Sequence, residues 1–150
     1  MSTWQDEEGV IKLPSGRKIR GRSWKNNPNE KADVSVVLST SVGYRFGAPK
    51  VVSDAQETLA IDWPDFRLPR RPAQAKQTLY EVWERAIEER VEITCAGGVG
   101  RTGTALAMLA VFDGMDPADA IALVQEKYHP KACETRAQRA FVLDMGCDIN

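Results

Sequence analysis

The sequence predicts a single α/β domain, and three observations predict it. Segments rich in β-branched residues alternate with segments of helical periodicity from end to end. Turn-forming clusters of Pro, Gly, Asn and Ser separate them. The 150 residues, 43% hydrophobic and 27% charged, suffice for one core and carry no disordered bias, internal repeat or linker. Residues 1–32 read as an N-terminal hairpin and loop, and residues 33–146 as the core of one domain spanning 1–150.

The elements follow in order. Val10–Leu13, the turn Pro14-Ser15-Gly16 and Arg17–Ile19 make a hairpin. Asn26-Asn27-Pro28-Asn29 is a turn cluster. Asp33–Ser39 is a buried strand, and Thr58–Trp63 alternates as a second. After Pro72, Leu79, Val82, Trp83, Ala86 and Ile87 fall on one face of a helix over about 73–90, with Trp83 in the core. Val91–Thr94 is a short strand running into Cys95. Arg101–Asp113 is apolar nearly all round, so it is a buried helix, stopped by Gly114. Asp116-Pro117 caps the next helix, which runs to about Tyr128. Thr135 and Gln138 match a capping box and open a last helix carrying Phe141, Val142 and Met145.

Composition excludes several classes of function. No apolar run of membrane length exists, and the first residues lack the charge and apolar stretch of a secretory signal. No membrane association is expected, and the location expected is cytoplasmic. The net charge of −1 argues against wholesale nucleic-acid binding. Three cysteines, at 95, 133 and 147, are too few for a disulfide framework. One histidine, His129, and no Cys-x-x-Cys argue against zinc. His129 sits near a helix end, where it suits the last carbonyls, and takes no catalytic role. Charge is nonetheless uneven, with a net of +3 over residues 1–71 and −4 over 72–150. The basic excess lies in Arg17–Arg22 with Lys25, and in Arg67-Leu68-Pro69-Arg70-Arg71. Solvated surface is the plain reading of such runs; a positive rim for an anionic substrate is the sharper one.

The decisive segment is Ile93-Thr-Cys-Ala-Gly-Gly-Val-Gly-Arg-Thr-Gly103. A strand delivers Cys95 to a loop in which Gly97, Gly98 and Gly100 let backbone N–H groups turn inward. Such a nest at a helix N-terminus binds an anion, and its field favours a thiolate at Cys95. Arg101, six residues after the cysteine, can return a planar fork to two phosphate oxygens. Together these groups suit attack on phosphorus: a thiolate nucleophile, amides for the equatorial oxygens and a guanidinium for the transition-state charge. A nucleotide-binding loop is excluded, because Gly98-x4-Gly103 is followed by Thr104 rather than Lys.

Cys-x5-Arg-Thr between a strand and a helix resembles the active-site loop of protein tyrosine phosphatases, including the dual-specificity branch. Trp63-Pro64-Asp65, 30 residues before Cys95, resembles the mobile acid loop of the same family. The resemblance covers roughly residues 33–146 and is closest to small bacterial, actinobacterial-type members. It implies the cysteine phosphatase fold, a central, mostly parallel sheet flanked by helices. It implies Cys95 as nucleophile, forming a phosphocysteine, and Arg101 as the phosphate-binding group. Ala96, Gly97, Gly98, Val99 and Gly100 would supply amides, and Thr102 would stabilise the leaving thiolate. Asp65 would act as general acid and then base, with Trp63 and Pro64 as its hinge. No metal or other cofactor is implied, and the partner is a phosphorylated protein or peptide. The sequence leaves the oligomeric state open.

Two positions depart from the family pattern. Thr94 stands where these enzymes usually have His, which bears on how the loop is oriented and the thiolate held. Glu134 begins the segment resembling the glutamine-bearing loop, where that branch has glutamine, while Gln138 matches the second glutamine and is a candidate water-positioning residue. The capping box also accounts for Gln138, a turn accounts for Asp65 taken alone, and no phosphotyrosine-recognition loop is found. The activity expected is metal-independent hydrolysis of phosphotyrosine, with phosphoserine and phosphothreonine as further substrates. The alternatives are the same chemistry on a small phosphorylated molecule, such as a phosphoinositide or nucleotide, and a phosphate-binding pseudophosphatase. Cys133 and Cys147 lie outside the motif, and sequence alone does not place either within disulfide reach of Cys95.

Overall fold

The structure, a computed structural model, describes residues 4–26, 30–40 and 55–148. The turn cluster anticipated at 26–29 lies outside them except for Asn26. The strands are β1 (Val10–Lys12), β2 (Lys18–Ser23), β3 (Val34–Ser39), β4 (Glu57–Asp62) and β5 (Val91–Cys95). The helices among the described residues are α1 (Pro72–Arg85), α2 (Gly100–Phe112), α3 (Pro117–Lys127) and α4 (Arg136–Asp148). The sheet runs β1-β2-β5-β3-β4. Only the β1–β2 hairpin is antiparallel; β2–β5, β5–β3 and β3–β4 are parallel. The described residues form one mixed, mostly parallel sheet flanked by four helices.

β5 occupies the middle of this sheet and is buried along its whole length, as a strand covered on both faces should be. Its odd residues, Val91, Ile93 and Cys95, enter the apolar core with Val34, Val36 and Leu38 of β3. α2 is buried from Arg101 to Val111 and packs on β5 and β2 and on the other three helices. Gly114, at φ +106°, follows that helix. Asp116 caps α3 through the Ala118 N–H at 3.3 Å. Thr135 and Gln138 form the reciprocal capping box, at 3.0 and 3.2 Å.

Three details differ from the sequence reading. α1 ends at Arg85 rather than near 90, so Ile87 falls in the following turn and is exposed. Trp83 is half-buried at the margin of the core, its ring under the Arg17 guanidinium and its Nε1 donating to Asp113. Two arginines of the basic stretch on β2, one buried and one half-buried, are paired rather than solvated. Arg20 and Arg22 both bond to Glu92 on β5, which is 2% exposed, and Trp4 stacks over Arg20. The pairing follows from register: Arg20 lies opposite Glu92 in the parallel β2–β5 ladder. Burial opposes the Glu92 charge most strongly, but Arg22 and Arg20 outweigh it and hold the carboxyl below its usual range.

Candidate active site

β5 ends at Cys95 on the carboxyl edge of the sheet, and α2 begins five residues later at Gly100. The intervening loop closes on the sulfur. Cys95 Sγ, nearly buried, accepts the Gly98 N–H at 3.2 Å and the Thr102 hydroxyl at 3.0 Å. Both contacts stabilise negative charge on the sulfur. Gly98 needs to be glycine: it sits at φ +70°, and a Cβ there would lie 2.3 Å from the Ser23 nitrogen. Ser23 Oγ donates to Ala96 O at 2.5 Å, Trp24 N donates to Cys95 O at 3.1 Å, and the Tyr128 hydroxyl donates to Gly98 O. Burial, and then the negative charge of Cys95, raise the Tyr128 phenol above its ordinary pKa.

Arg101, on the first turn of α2, is buried against the other side of the loop. Its Nη1 donates to Leu38 O and Trp63 O, both at 3.0 Å. Its Nε is buried, has no hydrogen-bond partner among the described residues, and lies 3.4 Å from Asp65 Oδ1. Trp63 is fully buried, and its indole N–H donates to Arg67 O at 2.7 Å, closing the 63–67 segment on itself. Gln138 Nε2 donates to the same carbonyl at 3.2 Å, tying α4 to this segment. At the tip Asp65 is exposed, and Phe66, at φ +61°, is exposed beside it.

The structure therefore brings Cys95, Ala96, Gly97, Gly98, Val99, Gly100, Arg101 and Thr102 into one loop-and-helix unit and sets Asp65 beside Arg101. Trp63 supports that arrangement from below. Gln138 has its Oε1 taken by the capping box and one amide N–H by Arg67 O. Glu134 lies against Gly100, with Oε1 3.0 Å from where a Cβ would stand. Thr94 turns its hydroxyl to Val36 O at 3.4 Å, into the sheet and away from the loop. His129 meets the helix end through its backbone, whose N–H donates to Val124 O at 3.0 Å, while its imidazole Nδ1 accepts the Lys131 N–H at 3.0 Å. Cys133 is buried behind α2, its Sγ 3.8 Å from Gly103 O, and burial pushes its thiol up to about 11. Cys95 and Cys133 are free cysteines, and the side chain of Cys147 lies outside the described residues.

Ser23 and Tyr128 were not singled out by sequence. Ser23 touches the loop because β2 lies beside β5, and Tyr128 because its ring lies against Gly21 of β2, where a Cβ would stand 2.7 Å away. Neither adjacency leaves a local signal in the chain.

Comparison with known proteins agrees with this geometry. An uncharacterised protein of Methanocaldococcus jannaschii is 42% identical over 57 residues, covering 38% of this chain and 35% of that relative's length. The structure of Tk-PTP in its active form superimposes with a TM-score of 0.68 at 25% identity, over 91% of this chain and 97% of that one. Kinase associated phosphatase, with its catalytic-site cysteine changed to serine, gives a TM-score of 0.67 over 97% and 98% of the two chains; at 14% identity it speaks for the fold alone. The family model for protein-tyrosine phosphatase matches residues 20–145, from within β2 to the last turn of α4. With the cysteine loop at the edge of a mostly parallel sheet and a family match over most of its length, the chain belongs to the protein-tyrosine phosphatases, a family of phosphoric-ester hydrolases.

Proposed function

We propose that this chain hydrolyses phosphoric monoesters through a phosphocysteine, with phosphotyrosine in proteins or peptides as the first substrate and phosphoserine or phosphothreonine as further ones. One observation carries the reading: the Cys95 sulfur accepts two hydrogen bonds inside a loop flanked by Arg101, with Asp65 3.4 Å from that guanidinium. In the first step the thiolate attacks phosphorus, the S–P bond forms and the ester P–O bond breaks. Asp65 in its acid form gives its proton to the leaving oxygen. The loop amides and Arg101 take the charge on the equatorial oxygens. In the second step water attacks phosphorus and passes a proton to the Asp65 carboxylate. The S–P bond breaks, phosphate leaves, and Thr102 and Gly98 receive the returning thiolate. Residues 1–150 act in this reading as one phosphatase domain, the 1–32 hairpin serving the 33–146 core through β2.

A second reading keeps the chemistry and changes the substrate to a small polyanionic phosphate ester. Arg67, Arg70 and Arg71 favour it, because all three are exposed and follow Asp65 within six residues of the chain. Hydrolysis of p-nitrophenyl phosphate in EDTA, with Cys95→Ser in parallel, tests the mechanism. Turnover that survives EDTA and vanishes in the variant is expected. Residual activity within a few-fold of wild type in Cys95→Ser would refute the cysteine mechanism, and a wild type that binds phosphate without turnover would be a pseudophosphatase. A panel of phosphopeptides, phosphoinositides and nucleotides then separates the two substrates.

A further inference from the structure

Three carbonyls on the outer side of the cysteine loop are each held by a donor from one wall. Cys95 O accepts Trp24 N–H, Ala96 O accepts the Ser23 hydroxyl, and Gly98 O accepts the Tyr128 hydroxyl. Ser23 is the last residue of β2, Trp24 follows it, and Tyr128 reaches the loop by lying across Gly21 of the same strand. The wall is continuous, and Gly98 is pressed directly against its backbone.

A trans peptide unit is planar, and its C=O and N–H point in opposite directions. No cis peptide bond occurs among the described residues. Holding a carbonyl therefore sets the amide of the residue after it. Trp24 turns the Ala96 N–H away from β2, Ser23 turns the Gly97 N–H the same way, and Tyr128 does so for Val99. On the far side of the loop from β2 lies Arg101, anchored to the end of β3 and to Trp63.

We propose that Ser23 and Tyr128 are positioning residues: by capturing the Ala96 and Gly98 carbonyls they aim the Gly97 and Val99 amides at the phosphate. The proposal rests on the phosphatase reading above. The loop needs such restraint because glycine peptide planes reorient at little steric cost. Among the described residues, the neighbours in the chain aside, nothing lies within 4 Å of a Cβ at Gly97, so their packing does not hold that plane. Thr94 does not hold it either, since its hydroxyl goes to Val36 O. Tyr128 suits the task as a donor that stays protonated beside a thiolate, because burial and the Cys95 charge both oppose its ionisation.

The test is binding of tungstate, a tetrahedral oxyanion that needs no turnover, to wild type, Tyr128→Phe and Ser23→Ala in EDTA. Aryl phosphate kinetics and thermal melting are measured alongside. Each variant is expected to bind tungstate about tenfold more weakly and to lose about tenfold in kcat, with a smaller change in KM. The melting temperature should stay near that of wild type, and Ser23→Thr, which keeps a hydroxyl, should recover most of the loss. Wild-type affinity and kcat in both variants would overturn the positioning role while leaving the phosphatase reading standing. Losses that track melting temperature, without rescue by Ser23→Thr, would also overturn it. If wild type binds tungstate but turns nothing over, the phosphatase reading fails and the tungstate ratios still decide the positioning role. If wild type does neither, both fail. Should Tyr128→Phe not fold, Ser23→Ala decides alone, because it acts on a different peptide plane.

Discussion

The cysteine loop and the Trp63–Arg67 segment face each other across the site and are built differently. In the loop, Cys95, Arg101 and Thr102 are all nearly or fully buried, and the carbonyls of Cys95, Ala96 and Gly98 are held from the β2 side. The segment opposite is fixed at its ends, by Trp63 N to Ser39 O at 3.0 Å and by the two donors on Arg67 O. Its tip is not: Asp65 is 58% exposed, and among the described residues it reaches across the site to Arg101 alone. The difference shows where preorganisation is concentrated. In the proposed mechanism the groups that meet phosphate charge are fixed before substrate arrives, so they need no reorganisation during reaction. Asp65, the proton donor of the proposed mechanism, sits on an exposed tip between fixed ends.

Breaking the fixed half should cost most. Arg101→Lys keeps the charge but loses the planar fork and the paired bonds from Nη1 to Leu38 O and Trp63 O. A fall in kcat/KM of about 10³–10⁵-fold is expected, the range for removing a transition-state guanidinium. Near-normal steady-state kinetics in this variant would take Arg101 out of the site.

The exposed tip should show a smaller loss that depends on the substrate. Asp65→Asn cannot give a proton, so kcat should fall about 10²–10⁴-fold on an alkyl phosphate, the general-acid range. On p-nitrophenyl phosphate the loss should shrink, because that leaving group departs without help. Equal losses on both substrates would contradict the assignment and leave Asp65 as the turn residue that its bond to Phe66 N also allows.

The same contrast separates what the sequence discloses from what it conceals. The cysteine loop is local: Cys95, its glycines and Arg101 lie within seven consecutive residues, between a strand and a helix each visible by periodicity. The acid segment is nearly as legible, since Trp63-Pro64-Asp65 is contiguous. What stayed hidden depends on which strand lies next to β5. Ser23 bonds to a loop carbonyl 73 residues away, and Arg22 bonds to Glu92 across 70. A one-dimensional pattern does not fix the sheet order, so a run of arginines reads as surface when its partner is buried on another strand. The helix ends were blurred for a similar reason. Ile87 continues the apolar period of α1, but the chain has already turned out of the helix.

The buried cluster behind the sheet gives the third prediction. Glu92→Gln removes the carboxylate that Arg20 and Arg22 share, leaving Arg20 its longer pair with Glu7 at 3.8 Å, and should cost about 3 kcal/mol of stability. The effect should depend on pH. The Glu92 carboxyl is held below its usual value of 4.5 in the folded protein, so its contribution is present above about that pH and lost as the pH falls through the lower folded value. Denaturant melts from pH 7 to pH 3 should therefore show the wild-type advantage narrowing on acidification. A gap that stays constant across that range would mean that Glu92 acts through packing rather than charge.

The smallest effect should come from the second basic stretch, and it bears on which substrate docks at the exposed side. Unlike Arg20 and Arg22, Arg70 is 58% exposed and lies 3.7 Å from Asp62, itself partly exposed, so the pair adds little to stability. Arg71 is exposed beside it, at the start of α1. Arg70→Ala with Arg71→Ala should leave the melting temperature and the kcat for p-nitrophenyl phosphate unchanged. On a phosphopeptide flanked by acidic residues KM should rise about two- to fivefold, the reach of exposed charge pairs. The rise should fade with added salt over the Debye length. A salt-insensitive loss would point to direct packing by these side chains. No change on any acidic substrate would reduce the stretch to solvated surface, leaving the fixed half of the site to set what the enzyme accepts.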